Sequence, residues 1–265
     1  MLERVREKVA VAWAPSPVTG ALTISEDGWL EGPGVVRVPS VRHFALTSRT
    51  PDGEPGPLGV CWHWTGGVCR PGYAARLAQR IRGYKRGVDR AASWHLVIAK
   101  QGWVYQSISF EQGAWHSAVG RVADGPQAHR VNRSLVGIEL ENAGRLRYLD
   151  GAWRCHPYWK ARPAGAPSTD LLREVDPALT VPPARRVLVA AQGAFDEFPD
   201  AQVTAAACVL RALVARYGLA AERCGFQHGD FEPRKEDAGP VWRAMLPLVY
   251  ERAGLDLAAA PGGLV

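Results

Sequence analysis

Along the chain, short apolar runs alternate with breaks marked by Gly and Pro, and two longer stretches repeat apolar residues at helical spacing. Gly59 to Trp64 is a mostly apolar run closed by Thr65-Gly66-Gly67, which predicts a short buried strand ending at a turn. Ser93 to Ala99 and Trp103 to Ile108 flank Lys100-Gln101-Gly102 and predict a strand pair. Arg133 to Leu140 predicts a further strand. Pro71 to Arg82 reads as a helix opened by proline, with Tyr73, Leu77 and Ile81 on one face and Arg76, Arg80 and Arg82 outside it. Ala201 to Tyr217 is the clearest helix. Val203, Ala206, Leu210, Leu213, Val214 and Tyr217 follow the three-four spacing, Asp200 is placed to cap the start, and Gly218 to stop the end.

The remaining segments set the organisation. Residues 1–27 read as a lead-in broken by Pro15 and Pro17, and residues 28–57 as an extended surface run. A single domain is expected over 28–250, with a tail at 251–265. Residues 144–198 hold Trp153, Tyr158, Trp159 and the prolines Pro163, Pro167, Pro177, Pro182 and Pro183. They are expected to be an insertion of loops and short helices, which either shapes a substrate groove or only packs on the surface.

Composition narrows the class. With 265 residues, 47% of them hydrophobic and 22% charged, the chain has enough apolar material for a large core and the balance of a soluble globular enzyme. The net charge of +6 favours anionic partners without choosing among nucleic acid, membrane surface and wall polymer. No recognisable nucleic-acid motif accompanies it, so no nucleic-acid partner is expected. The first residues, Met1-Leu-Glu-Arg-Val-Arg-Glu-Lys, mix charges of both signs and lead into no apolar run, so a cytoplasmic chain is expected. No run approaches the roughly 20 apolar residues of a membrane span, so no membrane insertion is expected. The five cysteines form no CxxC pair and read as reduced thiols, with a Cys61–Cys69 disulfide as the lesser alternative. The chain is expected to be a monomer.

Three clusters carry candidate chemistry. His63 ends the first strand beside a glycine turn, where an imidazole can point into a cleft and bind zinc, or simply pack. His228, Lys235 and Asp237 lie on one Gly- and Pro-punctuated segment that can turn His228 and Asp237 onto a single metal. With His63 they would make two imidazoles and a carboxylate, a set that leaves one zinc position open for water. Glu139 lies within the apolar strand, on the same face as Glu141. A carboxyl in such a place needs a partner or a task, and beside zinc it can move a proton. A buried pair with an arginine is the bland alternative. His95 and His116 either line the pocket or are hydrogen-bonded structural histidines.

In this order the motifs resemble a known family. His63-Trp-Thr-Gly, Ser93-Trp-His95-Leu-Val-Ile, Gly102-Trp-Val-Tyr-Gln, Ala114-Trp-His116, Asn132-Arg-Ser-Leu-Val-Gly-Ile-Glu139-Leu and the His228–Asp237 segment look like the zinc N-acetylmuramoyl-L-alanine amidases. That group includes phage amidases, bacterial muropeptide amidases and animal peptidoglycan-recognition proteins. Asp27-Gly-Trp-Leu30 and Arg37-Val-Pro-Ser40 resemble the AmpD-type enzymes that recycle anhydro-muropeptides.

The resemblance implies an α/β fold, a mixed β-sheet flanked by α-helices with a zinc cleft on one side. It implies one zinc ion per chain held by His63, His228 and Asp237, Glu139 as the catalytic acid and base, and Lys235 as the stabiliser of the oxyanion. It further implies His116, Trp94, Trp64 and Trp115 as substrate-binding residues, and peptidoglycan or muropeptides as partners. The chain departs from the family pattern in having Pro233 directly before Arg234, one residue fewer than usual, and Ala238 in place of a proline. Glu236 and Asp230 therefore stay open as alternatives to Asp237. An amidase acting as a lysin or as a recycling enzyme is the leading reading. A non-catalytic receptor of the same fold and a peptidase of the stem peptide are the rivals, the latter lacking an HExxH.

Overall fold

The computed structural model describes residues 18, 20–50, 53–66, 72–82, 92–117, 120–124, 127–149, 151–155, 187–190, 193–232 and 234–256. Pro71, Cys69, residues 156–186 and 257–265, and most of the expected lead-in lie outside these. In chain order the strands before the long helix are β1 (Thr23–Ile24), β2 (Leu30–Glu31), β3 (Val35–Arg37), β4 (Phe44–Ala45), β5 (Gly59–Trp64), β6 (Leu96–Ile98), β7 (Val104–Gln106), β8 (Gln112–Gly113), β9 (Arg121–Asp124), β10 (Gln127–Arg130), β11 (Leu135–Leu140), β12 (Arg145–Leu149), β13 (Ala152–Arg154), β14 (Val187–Ala190) and β15 (Gly193–Asp196), with β16 (Phe226–Gln227) after it. The helices are α1 (Tyr73–Arg82), α2 (Asp200–Tyr217), the single turn α3 (His228–Phe231) and α4 (Gly239–Ala253).

Six strands form the central sheet in the order β16-β5-β11-β6-β7-β3. β16, β5, β11 and β6 run parallel to one another, while β7 pairs antiparallel with β6 and parallel with β3, so the sheet is mixed and flanked by helices, as expected. Alternation along the strands sorts their side chains to two faces. Val60, Trp62, Leu96, Ile98, Val136, Ile138 and Leu140 meet α2 and α4 in the main core. Val97 and Tyr105 point the other way, toward Ala74, Ala78 and Ile81 of α1. The predicted α1 face is thus turned: Ile81 is buried, but Ala74 and Ala78 sit deeper than Tyr73 and Leu77.

α2 buries Val203, Ala206, Leu210, Leu213 and Tyr217 as predicted and ends on left-handed Gly218. Its start differs. Pro199 occupies the capping position, and Asp200 is the first helical residue, paired instead with Arg252 at 2.6 Å. α4 was not expected. It buries Val241, Trp242, Leu246, Val249, Tyr250 and Ala253 against α2, with Pro247 inside it. Among the described residues, no helix is long and apolar enough to cross a membrane.

The described part of residues 144–198 corrects the expectation of loops and short helices. It is a four-stranded antiparallel sheet, β13-β12-β15-β14. Its source is the period-two run Arg145-Leu-Arg-Tyr-Leu149, which buries Leu146 with Ala143, Cys155 and Ala194. Buried polar bonds stitch this sheet to the central one. Asp196 accepts from Ala143 N at 2.8 Å and Lys100 Nζ at 3.1 Å, and the Asn142 amide donates to Asp196 O and Glu197 O.

Candidate functional site

The site forms where parallel strands end. β5 and β11 lie in register with His63 opposite Glu139, so both side chains leave the same face near the carboxyl ends of neighbouring strands. β16 continues the sheet beside β5, and His228 follows it directly as the first residue of α3. The carboxyl edge of a parallel sheet is where open α/β folds gather reacting groups, because the chain leaves there into loops.

The segment after His228 turns back sharply. Gln227 and Asp230 close a capping box over α3, with Gln227 N bonded to Asp230 Oδ2 at 2.8 Å. Gly229 lets the returning chain approach, since a Cβ there would lie 2.7 Å from Lys235 O, and Gly229 N bonds to Asp237 O at 3.2 Å. The return brings Asp237 Oδ2 to 3.0 Å from both His63 Nδ1 and His228 Nδ1. The two alternatives for the third position are occupied elsewhere. Glu236 forms a two-pronged bridge with Arg145 at 2.9 and 2.8 Å, and Asp230 caps α3 and pairs with Arg243.

Burial dominates the electrostatics. It lowers His63, which contact with Asp237 only partly offsets. Burial alone would raise Asp237, but its contacts with His228 and His63 outweigh this and hold its carboxyl well below the usual carboxylate range. Glu139 is pushed up to about 8 by burial and by the charge of Asp237, with Lys235 opposing. Its Oε2 is buried without a hydrogen-bond partner among the described residues, so it is not the arginine-paired carboxyl of the bland alternative.

The ligand atoms of His63, His228 and Asp237 lie within 4.8 Å of one another. An ionised carboxylate facing an imidazole that burial keeps from protonating leaves negative charge that a divalent cation would balance, and the donor set matches zinc. Cys61, His63 and His116 also lie close enough for a cation. Burial there, with the charges of Asp237, Asp230 and Glu139, pushes the Cys61 thiol well up and disfavours the thiolate a metal needs.

The other expected residues part ways. Trp64 lines a cavity of about 640 Å³ together with Arg145, Arg147, Arg234, Lys235 and Asp237. Trp115 is 45% exposed, edge-on to Phe44, and lines a separate cavity of about 400 Å³ with Arg121, Arg130 and Arg133. Trp94 and His116 are buried and line neither of these two cavities. Trp94 is core beneath α1. His116 is buried behind His63, with Nδ1 3.0 Å from His63 Nε2 and Nε2 3.2 Å from Leu135 O. His95 is structural, accepting from Gly137 N at 2.9 Å and donating to Gln112 O at 2.7 Å. Two site residues went unforeseen. Glu232, one turn beyond His228, places Oε2 3.5 Å from His228 Nε2, and Arg145 grips Glu236.

The sequence profile described as N-acetylmuramoyl-L-alanine amidase matches residues 53–240, well over half of the chain and spanning every residue of this site. The chain belongs to that amidase family. Solved structures similar to this amidase include AmpD as a selenomethionine derivative, with 23% identity and a TM-score of 0.47 over 86% of this chain and 99% of the other. AmiD from E. coli, solved with anhydro-N-acetylmuramic acid-L-Ala-D-γ-Glu-L-Lys, is 18% identical with a TM-score of 0.47 over 89% of this chain and 66% of that one. A mutant endolysin from Bacillus subtilis is 16% identical with a TM-score of 0.42 over 84% and 98%. No curated protein sequence matches this amidase.

Proposed function

We propose that the protein is a zinc-dependent amidase that hydrolyses the amide between the muramoyl lactyl group and L-Ala of peptidoglycan or of muropeptides. The observation that carries this reading is the convergence of His63, His228 and Asp237 with Glu139 on the adjacent strand of an amidase-family chain. Zinc held by the two imidazoles and the carboxylate supplies Lewis acidity for a carbonyl oxygen and acidifies a water.

The chain's own groups do the rest. Glu139, on the strand beside His63, takes the proton of the attacking water in its ionised form and returns it to the leaving amine. Lys235 stands in the same cavity as Asp237 and places its ammonium against the oxyanion that forms at the attacked carbon. Trp64 offers an apolar wall to the substrate, and Arg147 and Arg234 offer positive charge to stem-peptide carboxylates.

The test is to incubate the purified protein with intact sacculi and, separately, with anhydro-muropeptides, each with and without a chelator, and to read products by mass spectrometry. Free stem peptides with an L-Ala amino terminus, lost on chelation and restored by zinc, are the expected result. The substrate that is cut separates a wall lysin from a cytoplasmic recycling enzyme. Intact substrates after incubation with zinc-loaded protein would sink the proposal.

A further inference from the structure

We propose that His116 is a positioning residue that fixes His63 in the tautomer able to bind a metal through Nδ1. The inference rests on the metal-site reading above. Its logic starts at the backbone. Leu135 O can only accept, and it lies 3.2 Å from His116 Nε2, so that nitrogen carries a proton. The ring's partners are this carbonyl and the imidazole of His63, neither of them an anion, and a buried imidazolium without an anion is costly. His116 is therefore neutral, and its Nδ1 is an acceptor.

His63 Nε2, 3.0 Å from that acceptor, must donate to it. A neutral His63 with its proton on Nε2 has its lone pair on Nδ1, the atom 3.0 Å from Asp237 Oδ2. Two acceptors that close repel unless a cation shares them. The relay from Leu135 through His116 thus makes the far side of His63 a ligand. Second partners of this kind orient metal-binding imidazoles and raise their basicity. Glu232 stands in the matching place beyond His228, with Oε2 3.5 Å from Nε2.

The fold holds the relay in place. The His116 ring lies against Gly137, where a Cβ would come within 2.4 Å of His116 Cγ, so any side chain at 137 would displace the ring. Asn132 Oδ1 accepts from His116 N at 3.0 Å and Ser117 N at 2.7 Å, which fixes the turn that carries it.

The experiment measures zinc affinity of the full chain by chelator competition in wild type, His116→Leu and His116→Asn, with folding checked by circular dichroism. Asn keeps an acceptor near the place of ring Nδ1, and Leu removes it at similar size. The expected result is a loss of roughly 10- to 100-fold for His116→Leu and near-wild-type affinity for His116→Asn. Long-range proton–nitrogen NMR of the zinc-loaded wild type should place the His63 proton on Nε2. Equal affinity in a folded His116→Leu, or a His63 proton on Nδ1, overturns the proposal while leaving the metal reading intact. A cobalt-loaded protein whose thiolate-to-cobalt band disappears in Cys61→Ser also overturns it, by assigning the metal to Cys61, His63 and His116. A wild type that takes up no zinc overturns the metal reading itself.

Discussion

Among the described residues Glu139 Oε2 has no hydrogen-bond partner, and Glu139 lies opposite His63 on the neighbouring strand. A buried polar atom left open is costly, and a proton-transfer task accounts for its retention. Glu139→Gln is expected to keep its zinc, by metal analysis, and to lose roughly 100- to 10,000-fold in turnover. Lys235→Ala should lose on the order of 100-fold in kcat by the same assay, since it removes one stabiliser of developing charge. His95 governs acid stability instead. Burial lowers it to about 4 from the usual 6.5, so the unfolded chain binds the extra proton between those values. Its contribution is complete above pH 6.5 and is lost as the pH falls toward 4, on the order of 3 kcal/mol. Urea unfolding at pH 7 and pH 5 should show the decline, and His95→Phe should be less stable at pH 7 with a flatter slope. At this scale the sequence was legible where residue type alone speaks. His63, His228 and Asp237 are metal-ligand types on turn-bounded segments, and the fold brings them together. His116 was not legible as a partner of His63, because the direction of a hydrogen bond depends on which nitrogen meets which carbonyl, and Leu135 O is 19 residues away.

Among the elements, β5 matches its sequence boundaries, since an apolar run between Leu58 and a glycine turn has little freedom to slip. α4 was hidden by Pro240 and Pro247, although Val241, Trp242, Leu246, Val249 and Tyr250 carry helical spacing. The added sheet was hidden in the same way, its alternating Arg145–Leu149 run submerged in a proline-rich neighbourhood. That sheet reaches the site through Arg145 and Arg147 of β12. Arg145 lies 5.2 Å over the Phe195 ring, Phe195 lies 6.1 Å from Trp64, and the guanidinium bridges Glu236 between Lys235 and Asp237. Both partners are partly exposed, at 34% and 53% of their side chains, so solvent screens the pair. A double-mutant cycle of Arg145→Ala and Glu236→Ala should give a coupling of about 1 kcal/mol or less, shrinking at high salt. A coupling well above that would mean the bridge holds the metal-site segment far more firmly than its exposure allows.

Across the whole molecule, the apolar helices lie on one face of the central sheet, while the candidate site and α1 share the other. Residue types could not foretell this division, because it depends on strand order, which places β11 between β5 and β6 despite the chain order. The net charge of +6 acts at this scale too. Attraction between a cationic protein and an anionic wall is screened within about 10 Å at 0.1 M salt. Retention on sacculi, measured by sedimentation of an inactive Glu139→Gln protein, should therefore fall steeply as salt is raised, and salt-independent retention would count against an electrostatic component.

The register of β5 against β11 reaches beyond this one protein's chemistry. Because His63 and Glu139 face each other across a parallel ladder, the length of chain inside residues 59–64 and 135–140 is locked. A single-residue insertion in either strand would exchange ligand or proton carrier for a core side chain and bury the wrong one in its place. Length can drift only in the connections between them. The rim of such a fold is therefore free to change in length, while its two central strands are counted residue by residue.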